Sequence, residues 1–518
     1  MTMGAEIRSA NETRDALPWW EQRWFLALVV AATMIPLLYP RIPPLVDLFG
    51  HIGRYRVELD LDRSPFLQQY YGYHWALIGN LGVDVLVYIL GPIMGIEPAV
   101  KAIVLSIPPL TAIGFLWVAR EVHGRVPPTA FFALPFIYGF PFMFGFVNFT
   151  LSVALAFLAF GLWLRLGRLE YTKLRSWLFV PISLIVFFCH TYGWGLLGLM
   201  CFSADAVRLH DRGRSWWRAG LEAALHCSVM LLPLLVMLIW RSETHGGGVT
   251  GWFEWQQKWR WLYSALRDRW EVFDKISLGF AVFVFLFAIF NRKLTLSRNL
   301  AFSAIVLAVS FAILPKIIFG SAYADMRLVP YLFAVALLAI RFKGPTDVRL
   351  GHVLAVVGLL FFAGRTAANT ASLGIAAADQ NAKLEAIDHM ERGARVASFF
   401  ALPCTLWWPL PRNSHIGGIV IERREGFSND HWLMEGVNLM ELRYTAPGSF
   451  AYDPSEVVRP NLCHDGLHRQ IDQALREVPK DKFDYIWLND VGEYDPALVA
   501  DMHEVWRGPG SVLYRTKP

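Results

Sequence analysis

The chain has 518 residues, 55% hydrophobic and only 18% charged, with 21 Trp, 17 Tyr and 37 Phe. Soluble domains carry about 25% charged residues and seldom exceed about 300 residues around one core, so this composition excludes a soluble globular protein and points to an integral membrane protein. A formal charge of +5 without a concentrated basic patch excludes a nucleic-acid binder.

The first apolar run, 24–40, follows a mixed-charge stretch, 1–23, and no small-residue cleavage site follows it. It is expected to be an uncleaved spanning helix. Further runs long enough to cross a bilayer are 99–119, 126–146, 149–164, 176–190, 192–207, 219–240, 276–291, 299–318, 326–340 and 350–368. The stretch 75–96 is also apolar but holds Asn80, Asp84 and several glycines. Lys and Arg crowd the short links 120–125, 165–175, 208–218, 292–298 and 341–349, and are sparser in the long links 41–74 and 241–275. If 75–96 does not span, every basic link falls with the N-terminus on the cytoplasmic side. The stretch is therefore expected to be a re-entrant or interfacial helix.

The fold class that follows is a polytopic α-helical membrane protein. It has about eleven spanning helices, long outer loops over 41–98 and 241–275 within a membrane part 24–375, and a soluble α/β domain over 376–518. In that tail 379–392, 467–476 and 496–506 read as helices, and 395–400, 415–422, 483–488 and 511–514 as strands. No phosphate loop, zinc spacing or nucleophile elbow marks it, so an accessory role is expected. Cys404 and Cys463 lie there and can pair only if the tail faces an oxidising compartment; spacing does not decide it. Cys189, Cys201 and Cys227 lie in apolar runs, as buried thiols commonly do.

With this topology, polar residues at the outer helix ends fall into one layer. Asp47 and His51 are four apart and share a helix face, with Arg54 following. An acid just past the first span has a function or a partner, or it caps a helix. Asn148 offers the second outer turn a polar group, or an amide cap. His190 ends the fifth span in the same layer, as a substrate contact or a structural histidine. Asp325 and Arg327 stand at the mouth of the tenth span, Lys316 at the end of the ninth, and Arg365 near the outer end of the eleventh. Cations so placed stabilise charge developing on a lipid-linked phosphate, or snorkel to headgroups as anchors. The Trp-rich 252–262 is an amphipathic surface segment, and 245–248 (His-Gly-Gly-Gly) is a possible hinge before it.

Residues 43–55, with an acid just after the first membrane helix, resemble the first outer loop of the GT-C glycosyltransferases, as does the topology; residues 324–328 are similar to bacterial members. That superfamily includes protein O-mannosyltransferases, lipid A aminoarabinose transferases and oligosaccharyltransferase catalytic subunits. The resemblance implies an inverting transfer of sugar from a polyprenyl-phosphate donor to a glycan, lipid or protein acceptor, at the periplasmic face of a bacterial inner membrane. Asp47 would be the general base; Arg327 and Lys316 would hold the carrier phosphate; His51, His190 and Asp325 would orient substrate or tune Asp47. The acid pair common in that loop is here Asp47 followed by His51, and Asn148 stands where several families place an acid. No cofactor is therefore expected, and a divalent metal would lack its usual carboxylates. A transporter or flippase for a lipid-linked glycan, or an assembly partner for another enzyme, is the alternative. A transporter favours internal repeats and charges at the bilayer midplane; here there is no repeat and the charges gather at one face.

Overall fold

A computed structural model of the chain describes residues 17–243, 248–405, 408–433, 437–463 and 466–516. Most of the stretch 1–23, and most of the hinge expected at 245–248, lie outside the described residues. The architecture is a multi-pass helical membrane protein carrying a C-terminal domain built on a mixed sheet.

Five helices are individually long and apolar enough to cross a membrane: Ile96–His123, Val147–Arg168, Thr172–Cys189, Glu271–Phe290 and Val348–His389. The expected span 219–240 is bent by 58° between Trp216–Met230 and Leu232–Ile239, where Pro233 cannot donate a backbone hydrogen bond. The first apolar run is likewise interrupted, as Arg23–Ala32 and then Ile35–Leu38 around Pro36. The run 126–146 departs most from a regular α-helix. Pro128–Tyr138 is a 3-10 helix, buried along its whole length, followed by Phe140–Phe144. Pro127, Pro128, Pro135 and Pro141 remove donors throughout this stretch, and neighbouring helices rather than lipid enclose it. The stretch 75–96 forms the 13-residue helix Gly82–Met94, which turns at Gly95 directly into Ile96–His123. At 1.5 Å per residue it rises only about 20 Å, against about 30 Å of hydrocarbon.

The basic links meet one another. Arg125 pairs with Glu21, Arg168 with Glu121, Arg212 with Glu170, Arg298 with Asp211, and Lys293 with Asp347. All five links thus share one end of the helix bundle, and the long connections with the C-terminal domain occupy the other.

Val348–Leu384 is a single 37-residue helix running through position 376, so membrane part and tail join without a linker. In the tail, Arg395–Ala401 lies at the centre of the sheet, parallel to Tyr485–Asn489 on one side and Val457–Arg459 on the other. Ser511–Arg515 and then His503–Gly508 extend it antiparallel. Two expectations are corrected here. The stretch 415–422, expected as a strand, is instead the helix Gly418–Arg424; a short apolar run leaves helix and strand undecided, and packing against Leu48–Asp60 settles it. Residues 496–506, expected as a helix, are the single 3-10 turn Pro496–Val499 and then an edge strand.

The domain does not stand apart from the membrane part. Tyr71–Tyr73, in the first long loop, pairs antiparallel with Met440–Leu442. Helix Leu48–Asp60 approaches Gly418–Arg424 so closely that a Cβ on Gly53 would come within 2.7 Å of the Gly418 carbonyl oxygen. Arg412 donates to the Pro44 carbonyl. Cys404 and Cys463 form a disulfide, which answers the question their spacing left open.

Candidate active site

Where the first loop, the helix ends and the C-terminal domain meet, they enclose a cavity of about 330 Å³. Asp47, His51, Asn148, His190 and Arg327 line it from the membrane side, and His415, Trp432 and Asp453 from the domain side.

Asp47 is placed by backbone. Val46 N–H and Asp47 N–H donate to the carbonyls of Met143 (3.4 Å) and Phe144 (3.0 Å), and Gly145 closes that turn at φ +98°. A Cβ on Gly145 would stand 2.8 Å from the Asp47 nitrogen, and φ > 0 is costly for any residue with a side chain. Gly145→Ala is expected to lower the melting temperature and, by displacing Asp47, to cut turnover about 10–100-fold; unchanged turnover in the folded variant would contradict this placement. Asp47 precedes helix Leu48–Asp60, yet its carboxylate makes no capping hydrogen bond, which leaves it free for the cavity. Burial pushes its pKa up to about 7, with Asp453 adding to the rise and His415 and Arg327 opposing it.

Arg327 enters from the segment before Val329–Leu338. One terminal nitrogen lies 3.0 Å from His190 Nε2, the other donates to the Ala322 carbonyl at 3.2 Å, and the guanidinium sits 4.0 Å above the Phe146 ring. It is 6% exposed, its Nε lacks a hydrogen-bond partner, and among the described residues no carboxylate forms an ion pair with it. A buried, uncompensated guanidinium is costly and is the chemistry that binds phosphate. His190 is steadied by the Tyr192 N–H, which donates to its Nδ1 at 3.1 Å. His51 packs edge-on to Trp432 and stacks with Tyr55; burial and Arg54 hold its pKa well below the usual histidine value, so it is neutral.

The remaining candidates are held by partners within the protein. Asn148 borders the cavity, but its Oδ1 accepts from the Val83 N–H (2.5 Å) and its Nδ2 donates to the Asn80 carbonyl (3.1 Å) and Asp84 (3.0 Å). It holds the turn 80–84 in place. Arg54 points away from the cavity into a buried ion pair with Asp84 at 2.8 Å. Asp325 accepts from the Met326 N–H and pairs with Lys258 at 3.0 Å, and Lys258 also donates to the Phe311 and Leu314 carbonyls. This pins the amphipathic helix Trp255–Tyr263, whose Trp255 and Trp259 are exposed. Lys316 reaches Glu254 at 3.7 Å, outside the cavity. Arg365 pairs with Asp274 at 2.6 Å and donates to the Leu266 carbonyl, fastening the second long loop.

The sequence reading missed His415, Trp432 and Asp453, because it took the tail as accessory. Several polar groups, Asp430, His431, Asp453 and Glu456, sit in that part of the tail, but only the folded chain shows that Asp453, with His415 and Trp432, lines the cavity of Asp47. Burial raises the Asp430 carboxyl, and burial with neighbouring Asp453 raises that of Glu456 well above the ordinary range. Beside this cavity, and sharing Asn80, His190, Ser321 and Val437 with it, is a second of about 270 Å³ with a mostly apolar wall that includes Trp194, Leu199, Met237 and Phe319.

Helical bundle, long first loop and domain capping the bundle's end together make a fold that solved structures share. Solved structures with this fold include ArnT from Cupriavidus metallidurans bound to undecaprenyl phosphate, at 11% identity and a TM-score of 0.50, and the same protein in the apo state, at 12% and 0.53. Each alignment covers 95% of this chain and 97% of the other. No family model matches the chain, and no curated protein matches it.

Proposed function

We propose that the protein is a membrane glycosyltransferase that moves a sugar from a polyprenyl-phosphate carrier to an acceptor hydroxyl, with inversion at the anomeric carbon. The observation that carries this reading is the pairing, in one cavity, of a carboxylate with its pKa near 7 and a buried guanidinium without an ion-pair partner among the described residues. Asp47 takes the proton from the acceptor hydroxyl as its oxygen attacks the anomeric carbon. The bond from that carbon to the phosphate oxygen breaks on the opposite face, and the electron pair leaves on polyprenyl phosphate. Arg327, fixed beforehand by Ala322, Phe146 and His190, stabilises the charge that grows there. The neighbouring apolar cavity suits the first isoprene units. The alignment with an undecaprenyl phosphate-bound protein supports the same carrier class.

The disulfide between Cys404 and Cys463 supports placing the domain and site in an oxidising compartment. The gathering of basic links at the far end supports a cytoplasmic location for that end. Together they favour a bacterial inner membrane with the site facing the periplasm.

Titrating undecaprenyl phosphate into the purified protein is expected to raise its melting temperature saturably, whereas undecaprenol, which lacks the phosphate, produces little shift. Equal responses to the two lipids would refute phosphate recognition.

A further inference from the structure

We propose that His415, Asp453 and Glu456 bind one divalent first-row cation, Mn2+ or Zn2+, in the domain's wall of the cavity. One ligand atom from each residue lies within 4.8 Å of the others. Bonds to zinc from such ligands are about 2.0–2.2 Å, so movements below about 1 Å bring all three onto one ion. Glu456 is 1% exposed, and neither of its carboxyl oxygens has a hydrogen-bond partner by geometry. Asp453 stands directly against it. Among the described residues no Lys or Arg pairs with either acid; the ion-pair contact of Glu456 is His415 Nδ1 at 3.8 Å. Two carboxyls packed together out of water repel when ionised, and a divalent ion removes both the repulsion and the unmet acceptors. His415 Nδ1–H donates to the Asp430 carbonyl at 2.7 Å. Ligation through Nδ1, the ring nitrogen that faces Glu456, would take the place of that bond, whereas ligation through Nε2 would keep it as the orienting contact.

One imidazole with two carboxylates suits zinc or manganese. All three donors come from the C-terminal domain, which is why turns on the membrane side gave no sign of them. His415 and Asp453 also line the cavity of Asp47 and Arg327. The ion therefore adds positive charge beside the carrier phosphate; that role, unlike the binding itself, rests on the proposed reaction.

The test uses the purified full chain, stripped with EDTA, loaded with Mn2+ alone or Zn2+ alone, desalted and assayed for bound metal. One equivalent per chain is expected for at least one of the two ions. Glu456→Gln and His415→Gln are expected to weaken binding about 10–100-fold, while Asp47→Asn keeps the full equivalent. If either ligand variant fails to fold, the spin-echo spectrum of the Mn2+-loaded wild type decides, with nitrogen coupling from a bound imidazole expected. A wild type that retains neither ion, a loaded wild type without nitrogen coupling, or a folded Glu456→Gln that retains a full equivalent would each overturn the site. None of these readouts needs sugar transfer, so their failure would leave the proposed reaction standing.

Discussion

Asp47→Asn is expected to lower kcat/KM by about 10²–10⁴-fold while the variant folds at least as well as wild type. The carboxylate sits half-buried in the cavity wall, and burial raises its pKa from 3.8 to about 7. A base so tuned is strong enough to assist a hydroxyl and is still about half ionised at pH 7. The kcat/KM of the wild type should therefore rise with pH and level off above about 7, and this ionisation should vanish from the profile of Asp47→Asn. The same shift has an opposite consequence for stability. The folded chain holds this proton more tightly than the unfolded chain does, so the contribution of Asp47 to stability falls as pH rises from about 4 to about 7 and stays low above that. The asparagine variant should accordingly melt higher than wild type at pH 8 and the same at pH 4. A variant that transfers sugar at the wild-type rate, or that melts lower at pH 8, would remove Asp47 from the role of base.

Arg327→Met is expected to cost about 10²–10³-fold in kcat and to abolish the thermal shift produced by undecaprenyl phosphate. Methionine keeps much of the packing over Phe146 and removes a buried charge that no carboxylate neutralises, so the fold should tolerate it. Arg327→Lys keeps the charge but loses the planar fork held by His190 and Ala322, and should fall between the two. The paired readout separates roles. If kcat falls with lipid binding intact, Arg327 acts on the developing charge alone; if neither changes, the phosphate is bound elsewhere.

Much of this was legible from residue order. Apolar runs and clustered Lys and Arg marked the helical bundle and its basic end, because membrane insertion imposes length and charge asymmetry on local sequence. Asp47, His51, His190 and Arg327 were recognisable as scarce polar residues at one bundle end, and they converge on one cavity. Arg54, Asp325 and Arg365 met the same criterion yet sit in buried ion pairs with Asp84, Lys258 and Asp274. A polar residue near a helix end signals that it has a partner, without saying whether that partner is substrate or protein. The contributions of His415, Trp432 and Asp453 depended on contacts between distant segments, which no local pattern encodes. The helix at Gly418–Arg424 was misread for a related reason: its apolar face is matched to Leu48–Asp60, far away in the chain.

The bond from Arg412 to the Pro44 carbonyl spans 368 residues of chain, and this sets an order in time. During synthesis Asp47 is inserted and folded long before the residues that roof its cavity have been made. Until then Asp47 lacks the His415 and Asp453 side of its surroundings, and the cavity stands open on that side. The surroundings of Asp47 are thus completed last, when the C-terminal sheet docks on the first loop. If Asp47 acts as the proposed base, a chain released after the membrane helices but before that sheet would occupy the bilayer without the closed cavity that the transfer needs.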